Sequence, residues 1–377
     1  MDNVLVLNES FELVAVIDYY KSLIWTERYR EAGDFELYLL ADASAIGSIE
    51  EGYYLQIQGS NMTMIVEQFE ITTNTEEGNA LIITGRSLES ILDRRIVWPQ
   101  TTLSGNLQNG VKTLITEALI QPVSDPSRKI FGFTFEDSTD PLVTDLTLEA
   151  QYTGDNLYDV IISICETYSL GFRITLEENP EITVDNPGPY IFKFSLYAGV
   201  DRSYDQSVNE YVIFSSKFGN LISSNYLETQ KPLKTIAYIA GEGEGAERKS
   251  ETTTITESSE MIIGIKRREL FVDARDISST VYDDQGGSTT ITDEEYSNLL
   301  IERGKEKLSE NVVTRTFEGE VENGMTFSYG THFFMGDIVQ IVNEYGLEGT
   351  SRVIEFVRSI SPSGIEYYPT FEAIQET

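Results

Sequence analysis

Apolar and polar residues alternate with a period of two through most of the first 85 positions, in short runs separated by glycine-containing breaks. Leu23 and Trp25 alternate with Ser22, Ile24 and Thr26. Arg30-Glu31-Ala32-Gly33 interrupts the pattern, and Phe35, Leu37 and Leu39 then resume it against Glu36 and Tyr38. This predicts a half-buried β-hairpin over 22–40, with Gly33 supplying the positive φ of a tight connection. The same signals predict strands at 11–18, 53–58, 62–73 and 79–85. Turns fall at Ala32-Gly33, Glu51-Gly52, Gly59-Ser60-Asn61 and Glu77-Gly78-Asn79. Six short strands at this spacing predict a small barrel or sandwich. A short helix over 87–95 follows. Ser87 serves as its cap, with an incomplete capping box because position 90 is serine.

Beyond residue 100 the period lengthens. Leu107, Val111, Leu114, Ile115, Ala118 and Leu119 share one face of a helix that ends before Gln121-Pro122. Leu157, Val160, Ile161, Ile164, Cys165 and Tyr168 form a second such face, with Asp155 as cap and Gly171 as terminator. Strands at 171–176, 190–196 and 211–215 complete an α+β unit. Residues 241–260 alternate glycine and glutamate without the Gly-Lys-Ser/Thr of a phosphate loop, so they read as an exposed loop or long hairpin tip. A helix over 293–308 has a capping box, Thr292 with Glu295, and an apolar edge of Tyr296, Leu299, Leu300 and Leu308. Strands return at 325–329, 337–342, 351–359 and 365–371.

An internal echo accompanies that return. Gly52-Tyr53-Tyr54-Leu55-Gln56-Ile57-Gln58 matches Gly336-Asp337-Ile338-Val339-Gln340-Ile341-Val342, and each is followed by a long strand, a turn and another strand. If the echo is a duplication, the chain carries two related β-domains, and a trimer presents six similar units that match a three-fold object to a six-fold tube. The predicted class is α+β, mainly β, with two barrel-like domains and inserted α+β domains. Expected limits are 1–100, 101–215, 216–290 and 291–377, with discontinuous domains allowed.

Composition narrows the chemistry. The 62 acidic against 27 basic residues give a formal charge of −35, a surface that repels a phosphate backbone. Two readings follow: solubility at high concentration, or an acidic lumen past which DNA slides without sticking. No run is long and apolar enough to cross a bilayer, and residues 1–20 lack a basic leader, so a soluble chain without membrane insertion is expected. One cysteine, Cys165, excludes an internal disulfide, and its place on an apolar helix face makes it a small buried hydrophobe. One histidine, His332, lies beside a turn among aromatics and reads as structural. Asp283-Asp284-Gln285-Gly286-Gly287 lacks the ligand spacing of a calcium loop. No catalytic, metal-binding or cofactor-binding residues are assigned, and no enzyme is expected.

Five segments, in order, carry a resemblance. They are Trp25-Thr26-Glu27-Arg28-Tyr29 with Glu31-Ala32-Gly33-Asp34-Phe35-Glu36-Leu37; the stretch 85–99; Asp155-Asn156-Leu157-Tyr158-Asp159-Val160 with Leu170-Gly171-Phe172-Arg173; Asp201-Arg202-Ser203 with Val212-Ile213-Phe214-Ser215 and Asn220-Leu221; and 267–276 with Met335-Gly336-Asp337. Together they resemble the Gp37-like tail hub family of siphophages and prophages, the structural part of tail-associated lysin-type proteins, similar in fold to contractile-phage baseplate hubs. The resemblance implies a homotrimeric ring at the virion tail tip, assembled in the host cytoplasm. Such a ring closes or extends the channel and anchors host-recognition components. Its implied partners are the distal tail protein, the tape-measure protein and receptor-binding or fibre proteins, with DNA passing unbound. Many relatives continue into a lytic or fibre region; because this chain stops at Thr377, lytic activity is not expected.

Most matching residues are expected to serve the fold. Trp25, Phe35 and Phe214 are expected to pack cores, and Arg86, Arg94, Arg202 and Arg275 to pair with acids. Scarce cations in an acidic chain also suit contacts across a ring, which makes Arg94, Arg95, Arg202, Arg267, Arg268 and Arg275 candidate inter-subunit residues. A carbohydrate-binding receptor protein, using some of the 21 tyrosines, or less readily a cell-wall hydrolase, is the alternative function.

Overall fold

The computed structural model describes the chain except residues 1–2, 42, 75–77, 185, 246–247, 255–260, 283–286, 322–325, 347 and 375–377, and the side chains of 43–45, 74, 282, 314, 316–321 and 373. The acidic turn from Asp283 to Gly286, Glu77 of its turn, Met325 and parts of the 241–260 loop therefore lie outside the described residues.

The first third folds as β1 (Val4–Leu7), β2 (Leu13–Ile17), β3 (Ser22–Arg28), β4 (Asp34–Leu40), the short α1 (Ala43–Ser48), β5 (Tyr54–Ile57), β6 (Met64–Asn74) and β7 (Gly78–Ser87). The middle supplies β8 (Thr101–Asn106), α2 (Leu107–Ile115), β9 (Phe133–Glu136), α3 (Pro141–Thr144), β10 (Thr147–Tyr152), α4 (Leu157–Thr167), β11 (Gly171–Glu178) and β12 (Tyr190–Tyr197). Then come β13 (Ile213–Ser215) and β14 (Leu221–Thr229), followed by a small unit of β15 (Ile236–Ala240), β16 (Ser250–Thr254), β17 (Glu269–Asp273), β18 (Thr280–Tyr282), β19 (Ser288–Thr290) and α5 (Asp293–Ser309). The chain closes with β20 (Thr314–Val321), β21 (Ile338–Val342), β22 (Glu348–Ser361) and β23 (Gly364–Ala373).

The two strand-rich ends do not stand apart. One sheet of 13 strands runs β14-β20-β23-β22-β3-β4-β7-β6-β5-β1-β2, with β21 beside β22 and β13 beside β21. Among the described residues no closing pair joins the ends of this path, and the two strand-rich ends expected from the sequence are the two halves of one sheet. The join is the antiparallel ladder of β3 with β22, from Arg28↔Glu355 to Leu23↔Ile360. The fold class stands as mainly β with multiple sheets.

Across that join the halves repeat one another. Gly52 N–H donates to Val66 O at 2.8 Å, and Val66 N–H to Tyr53 O at 2.8 Å. Gly336 N–H donates to Val353 O at 2.9 Å, and Val353 N–H to Asp337 O at 2.9 Å. Both glycines have φ of +88°, a left-handed conformation that side chains resist. A bulge follows each contact, between Val66 and Gln68 in β6 and between Val353 and Glu355 in β22. Next come the hairpins β6–β7 and β22–β23, then the neighbours β4 and β20. One pairing departs from the repeat: β1 runs antiparallel to β5, but β13 runs parallel to β21. The α+β unit is inserted between the repeats. The small sheet with α5 is inserted between β14 and β20, where the first repeat has only the turn from β3 to β4.

Four apolar clusters follow this plan. Trp25, Phe35, Leu55 and Ile83 form the first with Ile360 from the far end of the chain. Phe214, Val339, Phe356 and Phe371 form the second with Tyr29 from the first hairpin. Each half thus completes the other's core. The third cluster packs α2 and α4 on β11 and β12, and the fourth packs α5 on β15.

Several local readings need correction. Gly33 does not have a positive φ. Its requirement is close approach, since a Cβ there would lie 2.1 Å from Thr26 O. Asn156, not Asp155, caps α4 through its side-chain oxygen and the amides of Tyr158 and Asp159. Gly171 does not end that helix but opens β11; Ser169, at φ +55°, makes the reversal. Ser87 leads a 3₁₀ turn (Leu88–Arg94) rather than an α-helix, and its hydroxyl makes no cap bond. It accepts from Gly33 N–H at 2.8 Å and donates to Glu89. The strand expected at 325–329 is a loop from 326 onward with one bridge at Tyr329, and the strand that pairs β23 is β20. The capping box of Thr292 and Glu295 forms as read. Cys165 is fully buried, and burial pushes its thiol up to about 12. His332 is exposed and hydrogen-bonded as a structural residue: its Nδ1 accepts from Ser328 N–H at 3.0 Å, and its ring meets Phe327 edge-on. No helix among the described residues is long and apolar enough to cross a membrane.

Candidate functional site

The seam between the halves gathers the hairpin motif. Along β3 the side chains alternate, so Trp25 reaches the first core while Ile24 and Thr26 leave the opposite face of the sheet. Trp25 is fully buried, and its Nε1 donates to Ser60 Oγ at 3.2 Å. Ser60 Oγ donates to Glu27 Oε1 at 2.7 Å, and Tyr329 O–H donates to Glu27 Oε2 at 2.7 Å. Glu27 is buried; desolvation raises its pKa above the usual value, opposed by those two hydrogen bonds and by Arg358. Arg28 donates through Nε to Glu355 of β22 at 2.8 Å, which binds the halves, and lies 2.6 Å from Asp34 of β4 on the other side of β3. Arg30 pairs with Glu372 at 2.9 Å.

Tyr29 joins three parts of the molecule. Its ring lies where a Cβ on Gly171 or Gly336 would fall, at 2.3 and 2.4 Å. Its hydroxyl donates to Ala198 O at 2.9 Å and accepts from Arg352 Nη1 at 3.2 Å. Arg352 also donates to Gly336 O at 2.8 Å. Burial pushes the Tyr29 hydroxyl up to about 12, so it remains a donor throughout the neutral range. The sequence reading placed Tyr29 in a motif but missed this role. The signal available was the run Glu27-Arg28-Tyr29-Arg30, too charged for a strand whose neighbours are core.

The six candidate arginines fall in three places. Arg94 and Arg95 lie together after the 3₁₀ turn. Arg94 is half exposed and 3.8 Å from Glu67, and Arg95 donates to Arg128 O at 3.1 Å. Burial, with Arg128 and Arg94 nearby, lowers the Arg95 pKa. Arg202 is well covered and pairs with the buried Asp337 at 2.7 Å, inside the second repeat. Arg267, Arg268 and Arg275 surround the small sheet: Arg267 pairs with Glu269 at 2.6 Å, Arg268 donates to Gln230 O, and the exposed Arg275 pairs with Asp273 at 2.5 Å. The structure therefore does not bring the six together. Trp25, Phe35 and Phe214 are buried as expected, and Arg86 forks onto Glu67 at 2.9 and 3.1 Å.

A cleft of about 810 Å³ borders the seam, lined in part by Glu27, Glu89, Arg173, Tyr197, Tyr329 and Asp337. Glu89 is buried at its floor, accepting from Ile174 N–H at 2.8 Å and from Ser87, with its pKa raised by desolvation. Each wall carboxylate is thus engaged in holding structure.

Tail proteins share this arrangement of sheets. The tail protein from Neisseria meningitidis MC58 matches with a TM-score of 0.55 at 11% identity, covering 98% of this chain and 96% of that one. The 43 kDa tail protein of prophage MuSo2 from Shewanella oneidensis matches with a TM-score of 0.54 at 11% identity, covering 99% and 98%. At such identity the likeness is one of fold, and it defines the class: the mainly β, multi-sheet tail-protein fold of phages and prophages. Within that class the chain belongs to the Siphovirus ReqiPepy6 Gp37-like protein family, which it matches over residues 3–371. Among curated proteins no sequence match is found.

Proposed function

We propose that this chain is the structural hub subunit of a siphophage or prophage tail tip. Three copies form a ring that closes or extends the tail channel and adapts the six-fold tube to a three-fold tip. The observation that carries the reading is the repeat: two β units of the same hydrogen-bond pattern, joined edge to edge within one chain. Three such chains supply six similar units, as a six-fold neighbour requires. In this reading the strands of the 13-stranded sheet, β1–β7 with β13, β14 and β20–β23, carry the tube-type units, and the α+β unit and the small sheet with α5 are insertions that offer attachment surface. The partners are the distal tail protein, the tape-measure protein and receptor-binding or fibre proteins. The assembly site is the host cytoplasm and the final place the virion tail tip.

A charge of −35 suits a lumen through which DNA passes unbound. The role is structural rather than enzymatic, and the seam carboxylates are consistent with that because their hydrogen bonds are committed to the fold. Light scattering and negative-stain electron microscopy of the purified chain test the proposal. A three-fold ring with a central hole is expected; a stable monomer at high concentration overturns it.

A further inference from the structure

One end of the small sheet is unlike the rest of this acidic chain. β15 and β17 run parallel, so the segments that lead into them, 230–235 and 264–268, arrive at the same end. They lie side by side there: Thr235 N–H donates to Arg268 O at 2.8 Å, and Arg268 N–H donates to Thr235 Oγ1 at 2.9 Å. The two segments hold Lys231, Lys234, Lys266, Arg267 and Arg268 and no acid, in a chain with 62 acidic and 27 basic residues. Arg267 pairs with Glu269, whereas Lys231, Lys234 and Lys266 make no ion pair among the described residues. Within this basic collar stands a 3₁₀ turn, Gly264–Lys266, closed by Arg267 N–H donating to Gly264 O at 3.1 Å. Gly264 has φ of +62°, a conformation side chains resist, and the reversal leaves Ile265 at the crest. Ile265 is 97% exposed, Ile263 68% and Met261 83%. Further along the strands Tyr238 and Phe271, stacked at 6.2 Å, are exposed on the sheet face turned away from α5.

We infer that this loop docks on an anionic lipid bilayer, with Ile263 and Ile265 in the boundary between headgroups and acyl chains and the lysines and arginines around them on lipid phosphates. The cations set the sign of the partner, and the crest sets its texture. A side chain with almost no neighbours of its own needs a partner that closes round it, and interfacial lipid does so without a preformed pocket. A nucleic acid offers phosphates but nothing apolar to cover Ile263 and Ile265. The net charge of −35 does not forbid the approach, because exposed charges more than about 8 Å apart are largely screened at physiological salt. Tyr238 and Phe271 then stand beside the contact, where amphipathic and aromatic rings favour a membrane–water interface. The contact is peripheral, made by one turn and its collar rather than by a spanning segment.

Every copy carries the loop, so the full chain tests this docking with or without a ring. Vesicles of equal parts phosphatidylcholine and phosphatidylglycerol should carry the protein upward in a flotation gradient, and vesicles of phosphatidylcholine alone should not. Each cation near an anionic surface is worth about five-fold in binding, so Lys231→Gln, Lys266→Gln and Arg267→Gln together should lower partitioning about 100-fold. Ile263→Ser with Ile265→Ser should lower it about ten-fold at an unchanged melting temperature, since both side chains already stand in water. The only cysteine, Cys165, is buried, so Ile265→Cys can carry an environment-sensitive dye. That dye should brighten with the anionic vesicles, and the same dye on Val208→Cys, also exposed, should not. Flotation at background, or equal flotation of wild type and both variants, overturns the docking. Binding to soluble polyglutamate without flotation overturns it in favour of an acidic protein partner. Brightening at position 265 with protein concentration alone puts a second copy on the loop and overturns it too. A stable monomer that still floats overturns the ring and leaves the docking.

Discussion

Replacing Tyr29 by phenylalanine removes one oxygen from the point where three parts of the molecule meet. The hydroxyl is buried, donates to Ala198 O at 2.9 Å and receives Arg352 Nη1 at 3.2 Å. Arg352 keeps Gly336 O at 2.8 Å and Ala198 O as acceptors, so its charge is not stranded. The loss is one buried neutral hydrogen bond and part of a charge-assisted one, about 1–2 kcal/mol. At about 2–4 °C per kcal/mol for a domain-sized unit, the melting temperature of the seam transition should fall by roughly 2–8 °C. Tyr29→Ala also empties the space between Gly171 and Gly336 and should cost about 3–5 kcal/mol. Differential scanning calorimetry of Tyr29→Phe, Arg352→Met and the double variant completes the test. The two substitutions share a contact, so a coupling of about 0.5–1.5 kcal/mol is expected. A Tyr29→Phe variant that melts within about a degree of wild type, with additive partners, would refute the account of Tyr29 as the junction.

Gly33→Ala places a methyl 2.1 Å from Thr26 O, so the β3–β4 hairpin must open; a loss of about 1–3 kcal/mol in denaturant titration is expected, against none if the glycine served only a turn. Glu89 has its pKa raised by burial, so its contribution is full when it is protonated and is lost as pH rises through the raised value. Glu89→Gln should therefore gain stability relative to wild type as pH rises from the ordinary carboxylate range through the raised value, and a pH-independent difference in melting temperature would contradict the burial argument. Charge reversal of Arg267 and Arg268 together should lower the trimer fraction in light scattering if the small-sheet face meets a neighbour, and an unchanged mass counts against that assignment.

The hairpin over 22–40 was legible because one face is core and the other is not, which imprints a period of two. The capping box of α5 was legible because capping is local in sequence. β14 and β20 were not: residues of β14 are largely exposed, so no alternation marks them. β1 was missed because Val4-Leu5-Val6-Leu7 is a continuous apolar run with no alternating partner. Gly33 was marked as special for the wrong reason, since close approach to Thr26 O depends on how the strands meet. The seam was invisible locally for the same cause, its partners lying hundreds of residues away. The echo of Gly52 and Gly336 was the one long-range signal that local sequence did carry.

The ladder between β3 and β22 also sets a timetable. Arg28 and Glu355 are 327 residues apart. At ordinary synthesis rates, roughly 15–65 s separate the appearance of the two strands from the ribosome. Through that interval the first hairpin is complete except for its neighbour, and its outer edge stays ready for any chain presenting the right strand. On a polysome the nearest such strand is β22 of a copy further along in synthesis, with the correct register and the same ion-pair partners. Exchanged dimers, in which each copy's β3 is completed by the other's last strands, are the expected by-product of crowded synthesis, and slower expression should suppress them.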